Sequence, residues 1–289
     1  MKSVAILTLC LMLLFLTGCE IIYRIGAQTT PGITTKTNLT PMPSVTSSPE
    51  AHFRRIDFDG TIVIDMDLDG SHGTIGVIQN EDGTVTVEHT DGDEHFAGTI
   101  DPLYITECYI DDVTESDGFL ELFVTGDMAS DDYATHIYRF KDSVTEESVI
   151  YGIVKNAAGE GSLIVHETVD VFGTYGAECR YSLKDGFKFE VSSPYTVVQY
   201  EGFEERKITV IRDDLPAQAF LDGVEYEDVL LPAGTELLLI ETDCKSYGLF
   251  TTEDNKIIRI AITKKPDEWG WFIDGISEEE WFDGLSYSG

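Results

Sequence analysis

Cysteine is scarce in this chain and poorly spaced for covalent staples. Five occur in 289 residues: Cys10, Cys19, Cys108, Cys179 and Cys244. No Cys-x-x-Cys pair is present, which argues against a structural zinc knuckle. A disulfide framework needs a dense, even set, and the three cysteines beyond residue 19 are an odd, dispersed set. They read as buried free thiols, with one bridge among them left open. Basic residues are equally few: 19 Lys and Arg stand against 53 Asp and Glu, a formal charge of −34. Phosphate backbones are held by clustered Lys and Arg, so nucleic acid is excluded as a partner. Docking on anionic lipid through the protein surface is excluded on the same ground. Catalytic signatures are missing too. There is no G-x-S-x-G elbow, and His166-Glu167-Thr168-Val169-Asp170 is not a zincin motif. Beyond the N-terminus no window of 12 or more residues carries an apolar stripe of period 3.6, so long amphipathic helices are not expected.

The first twenty residues, MKSVAILTLCLMLLFLTGCE, are the most informative segment present. Lys2 precedes an apolar run from Val4 to Leu16. That run is about 13 residues, short of the roughly 20 that span a bilayer. Leu16-Thr17-Gly18-Cys19 has the form of a bacterial lipobox, a signal whose cleavage site is followed by cysteine. This resembles the lipoprotein pathway and implies diacylglyceryl modification of Cys19. A diacylglyceryl group supplies the two chains that stable anchoring takes. The expected place is the outer face of a bacterial cell membrane, with the lipid as the membrane partner. Gln28 to Glu50 is rich in Thr, Pro and Ser. It cannot bury a core and reads as a solvated tether, of a kind usual in Gram-positive lipoproteins. Residues 1–18 are therefore read as a signal peptide and 19–50 as the lipidated cysteine with its tether.

From Phe53 the pattern is strand, turn, strand. Thr61–Ile64 is β-branched, Gly73–Ile78 is apolar, and Thr84–Val87 alternates after the turn Glu81-Asp82-Gly83. Leu103–Ile110, Phe119–Val124, His136–Phe140, Val149–Val154 and Leu163–Val165 repeat the theme, and Phe187–Val191 follows the turn Lys184-Asp185-Gly186. The reading is all-β, with roughly 53–100, 103–155 and 160–200 as similar four-strand units. After Ser192-Ser193-Pro194 the rhythm changes. Short strands at Lys207–Ile211, Glu236–Glu241, Tyr247–Thr252, Ile257–Thr263 and Trp269–Ile273 fit a small closed barrel. The folded part is thus divided into 51–203 and 204–289.

Two acidic loops carry the metal-ligand chemistry. Asp65-Met66-Asp67-Leu68-Asp69-Gly70 sets carboxylates at alternate positions before a glycine, a pattern that wraps oxygens around Ca²⁺. An EF-hand is ruled out, because position 12 is Gly76 and the flanks are strands. Asp112, Asp117 and Glu121 form a second, partial set. His89 and His95 bracket a turn and could share a metal, although isolated surface histidines are commoner. The loop Gly126 to Tyr133 offers Ser130, Asp131, Asp132 and Tyr133 to a sugar or cation. In WGWF, one of Trp269 and Trp271 is expected in the core and the other in a ligand groove.

The segment YIDDVTESDGFLELFVTGDMASDDYATHIYRF (Tyr109 to Phe140) resembles an FG-GAP/VCBS-type repeat, and MDLDGSHGTIGVI (Met66 to Ile78) the repeat before it. LLPAGTELLLIETD (Leu230 to Asp243) with WGWFIDG (Trp269 to Gly275) is similar to a bacterial Src-homology-3-like barrel. Clostridial surface lipoproteins pair these two parts. The resemblance implies an FG-GAP-like domain, an incomplete propeller or sandwich, followed by a small barrel. It implies Ca²⁺ in the first loop, although Gly73 stands where a further acidic ligand would be. The expected function is non-catalytic binding of a cell-wall polymer or surface protein. A wall hydrolase with a targeting barrel and a structural assembly partner are the alternatives.

Overall fold

The computed structural model describes residues 54–57, 60–101, 103–129, 132–141, 144–157, 160–199, 205–221 and 225–288. The signal segment, Cys19 and the tether to residue 50 lie outside them. So do Ser130 and Asp131. The structure is nearly all β, with 63% strand and 2% helix in several antiparallel sheets.

A short β1 (Arg54–Arg55) precedes the meander β2 (Gly60–Ile64), β3 (Gly73–Gln79), β4 (Val85–Asp91) and β5 (Glu94–Ile100), which pair in chain order. A second meander follows: β6 (Tyr104–Asp111), β7 (Glu121–Ala129), β8 (Asp132–Lys141) and β9 (Val144–Ile150), with β1 on the edge of β6. Successive strand residues point to opposite faces, and the second sheet is apolar on both. Cys108, Ile110, Leu122, Val124, Tyr138 and Phe140 pack against Ile64, Ile75, Val77, Val85 and Val87 of the first sheet. Their alternate neighbours Tyr109, Phe123 and Ile137 pack against Val154, Leu163, Val165 and Phe187 of the next. The second meander is therefore the middle layer of a three-sheet stack.

The third sheet begins with β10 (Ile153–Ala157), β11 (Ser162–Asp170), β12 (Thr174–Lys184), β13 (Lys188–Val191) and β14 (Tyr195–Val197). It continues through β15 (Lys207–Val210), β16 (Leu215–Leu221), β17 (Glu225–Leu231), β18 (Glu236–Thr242), β19 (Tyr247–Thr252) and β20 (Ile257–Ala261). The run Val149–Val154, expected as one strand, is two, β9 and β10. Gly152 turns the chain there, and a Cβ on it would stand 2.8 Å from the His166 carbonyl oxygen. A hairpin of β21 (Phe272–Ile273) and β22 (Ile276–Ser277), the single turn α1 (Glu278–Trp281) and β23 (Phe282–Asp283) complete the fold.

The described residues form no closed barrel. The strands after Lys207 instead extend the third sheet, because β14 pairs β12 on one side and β18 on the other. The sheet path ends open at β17. One core joins Val169, Val171, Phe172, Tyr175 and Ala177 to Ile208, Leu237, Phe250, Trp271 and Phe282. Phe172 reaches it from the β11–β12 turn with a left-handed φ of 59°. Its ring meets Phe250 at 4.9 Å and Phe282 at 5.5 Å, both edge-on. Gly248 makes room, since a Cβ there would lie 2.6 Å from the Phe172 ring.

Candidate functional site

The β2–β3 loop holds Asp65, Asp67 and Asp69, each of which offers a carboxylate oxygen within 4.8 Å of the others. Its shape comes from its own acids. Asp65 Oδ2 accepts the Gly70 N–H at 2.8 Å and Asp69 Oδ1 accepts the Ser71 N–H at 2.6 Å. Two residues sit at positive φ, Leu68 at 52° and Gly70 at 95°. The Leu120 N–H donates to the Met66 carbonyl at 2.8 Å, tying the loop to the middle sheet. Asp65 Oδ1 is buried and accepts no hydrogen bond among the described residues. Burial raises the Asp67 carboxyl above its ordinary range, and the charges of Asp69 and Asp65 add to this against the Asp69 N–H. Three converging carboxylates with one raised and one oxygen unsatisfied suit a hard divalent cation.

The loop forms one wall of a cleft of about 170 Å³, whose other residues are Met66, Ser71, His89, Asp91, Glu94 and Phe140. The sequence pointed to the aspartates and to His89, but not to Asp91 or Glu94. Asp91 and Glu94 are brought in by the β4–β5 hairpin, where they are direct partners. Ser71 Oγ donates to Asp91 Oδ1 at 3.1 Å and joins the two loops. Alternating ligand-type residues at the end of a strand before Gly92 were the available signal. His95 does not join His89. It pairs with Thr90 across the hairpin, on the opposite face, and their side chains meet at 3.2 Å.

Asp112, Asp117 and Glu121 are not gathered like the first set; the group within 4.8 Å among the described residues is the aspartate trio. Glu121 is fully buried, and its Oε1 accepts from Arg139 Nε at 2.7 Å. Asp117 pairs with the same guanidinium at 2.7 Å, and Glu121 Oε2 accepts the Val113 N–H at 2.9 Å. The Arg139 guanidinium also covers the Phe187 ring at 4.6 Å. Arg139 already supplies the positive charge at these two carboxylates. Burial pushes the Glu121 carboxyl up to about 7, and the Val113 N–H and Arg139 act against it.

That shift sets a pH dependence. A carboxyl raised from 4.5 to about 7 gives stability that is complete below the lower value and lost as pH rises through the upper. Burial raises Glu167 and Glu278 in the same direction. Burial lowers His89 and His166, which favours the higher pH, but with Glu121 contributing on the order of 3 kcal/mol the melting temperature should still be higher at pH 5 than at pH 8. Thermal melts across that range test it; a midpoint that rises towards pH 8 would contradict it.

The remaining candidates are dispersed. Asp132 is exposed and Tyr133 half-buried, opposite Ala129 and Asp127 in the β7–β8 hairpin. Trp271 is 5% exposed, and its Nε1–H donates to the Asp170 carbonyl at 2.8 Å. It packs into the core shared by the two parts of the third sheet. Trp269 is the exposed one, at 66%, edge-on to Tyr287 at 4.7 Å. Beneath it the buried Glu278 accepts the Trp271 N–H at 3.0 Å and the Tyr287 O–H at 2.6 Å. Cys108, Cys179 and Cys244 are free, and burial keeps all three thiols protonated, with Cys108 and Cys244 pushed up to about 12.

No protein-family model, curated protein or solved structure matches this chain.

Proposed function

We propose that the chain is a lipid-anchored surface protein of a Gram-positive bacterium that binds a cell-wall or extracellular ligand without catalysing a reaction. Cys19 carries the lipid and the Thr/Pro/Ser segment is the spacer. The FG-GAP-like part is the stack of consecutive meanders, and the Src-homology-3-like part is the region from Lys207, open at β17. Face-to-face stacking of the two meanders supports the first of these readings. The observation that carries the binding role is the convergence of the Asp65, Asp67 and Asp69 carboxylates, two of which, Asp67 and Asp69, line the cleft. Ca²⁺ there would offset two of the loop's three negative charges and fix its oxygens.

Two measurements test this. Millimolar Ca²⁺ should raise the melting temperature by several degrees through linkage, and Asp67→Asn should remove the rise. Purified cell wall should retain the protein, more strongly with Ca²⁺ than with chelator. No thermal shift reduces the loop to a simple turn, and no retention in either condition removes the wall as ligand.

A further inference from the structure

The aspartate loop also borders a second cleft, of about 260 Å³, with a different chemistry. This cleft lies where two sheet edges meet. Arg54 comes from β1, the outer strand of the middle sheet, and Val63 and Ile64 from β2, the outer strand of the first. Buried Ile64 and Leu120 form its floor, while Val63 and Leu68 stand at its lip, 60% and 47% exposed. Exposed apolar surface rimmed by polar residues marks sites of interaction.

Leu68 is the unusual member. It sits in the left-handed region at φ 52°, where a leucine is strained. Glycine would take that turn without strain, so the leucine costs stability and gives the lip its apolar side chain. The strand beside it is unusual as well. β2 is Gly60-Thr61-Ile62-Val63-Ile64 and pairs only with β3 among the described residues. An outer strand offers unpaired N–H and C=O groups, and proteins ordinarily blunt it with charge or proline. The other long outer strands do so: Glu94 and His95 on β5, Glu146 and Glu147 on β9, Lys155 on β10, Glu227 and Asp228 on β17. β2 carries neither.

Arg54 sets the charge of what the cleft can hold. It is exposed and pairs with no carboxylate among the described residues. Acids outnumber bases 53 to 19 in this chain, so an unpaired guanidinium on an apolar cleft attracts an outside anion. Asp65 shares the wall, but its carboxylate is turned into its own loop. Its Oδ2 accepts the Gly70 N–H at 2.8 Å and its Oδ1 is buried. A guanidinium grips a carboxylate through two parallel hydrogen bonds. We infer that this cleft and the free edge of β2 capture an extended peptide ending in an aliphatic residue with a free C-terminal carboxylate. The peptide backbone adds a strand to β2, its last side chain fills the space between Val63, Leu68 and Leu120, and its carboxylate meets Arg54. Strand addition supplies affinity through main-chain hydrogen bonds, and side-chain pockets supply specificity. The inference gives the proposed binding role a ligand class but uses neither Asp67 nor Asp69, so each can fail alone.

The test is fluorescence polarisation of the full chain with a labelled peptide of alternating Thr and Val that ends in leucine. The free acid should bind, and its C-terminal amide should bind about tenfold or more weakly, the scale of a lost charged hydrogen bond. Arg54→Gln should weaken the free acid to the level of the amide. Leu68→Gly should weaken both peptides without lowering the melting temperature, because it removes the lip and the strained φ together. A peptide N-methylated at alternate residues should not bind, since it cannot pair with β2. Equal binding of acid and amide, or binding unaltered in both Arg54→Gln and Leu68→Gly, overturns the inference. Binding should persist in chelator; its loss there would make the peptide a property of the aspartate loop and overturns the inference too. So does a peptide-free chain that sediments as a dimer and becomes a monomer in Val63→Lys, because a second copy then takes the edge. No binding by the full chain also overturns it, and recovery on deleting residues 28–50 would identify the chain's own tether as the occupant.

Discussion

Residues 205–289 expressed alone should show no cooperative melt, and their tryptophan emission should resemble that of the unfolded chain. In the whole protein this segment borrows six of the 22 buried residues in its core cluster. Val169, Val171, Phe172, Tyr175, Ala177 and Val197 lie in the same cluster as its own residues. β18 loses its neighbour β14, with the pairs Tyr195 to Thr242 and Thr196 to Glu241. The Trp271 indole loses Asp170. Truncating one large buried aromatic costs about 3–5 kcal/mol, and a domain of this size has only about 5–10 kcal/mol in total. Restoring residues 161–204 should restore the transition. In the full chain, Phe172→Ala should lower stability by about 3–5 kcal/mol, because its ring fills the space above Gly248. A fragment that melts cooperatively near the temperature of the whole protein would show the segment to be autonomous.

Arg139→Ala should be the most damaging change in the middle sheet, at about 3–5 kcal/mol by urea denaturation. The Arg139 guanidinium is paired with fully buried Glu121 and with Asp117. Removing one partner of a buried pair strands the other charge in the interior. The loss should be smaller at pH 5, where Glu121 takes a proton, than at pH 8. The double variant Glu121→Gln, Arg139→Met should recover part of it, since no charge then stays unpaired at full burial. A cost below about 1 kcal/mol for Arg139→Ala would mean that water reaches the pair, as at exposed bridges.

The strand content was legible because turns and alternation are local. Glu81-Asp82-Gly83 and Lys184-Asp185-Gly186 mark their hairpins, with Gly83 and Gly186 at φ 87° and 73°. Tyr247–Thr252 is β19 as read. The strand β12 was harder to see although it is the longest, because after Tyr175 its buried face continues with Ala177 and Cys179, small residues that dilute the alternation. The open third sheet was not legible. Nothing in Lys207–Thr263 says that its first neighbour is β14. At the site, the aspartate loop announced itself by spacing within six residues. The hairpin wall did not, because His89, Asp91 and Glu94 meet Asp67 only through the pairing of β3 with β4.

The last structural consequence concerns time. Trp271 donates across 101 residues to Asp170, and the Ser288 N–H donates across 114 residues to Thr174 Oγ1. A chain is made from its N-terminus, so the first two meanders can pair from near neighbours as they emerge. The β11–β12 turn cannot. It must wait, with the Phe172 ring in water, until the final strands arrive. Long-range closure of this kind is slow, and an exposed aromatic turn beside unpaired strand edges is an aggregation hazard during the wait. Refolding should accordingly proceed in two phases, with the tryptophan signal in the slower one.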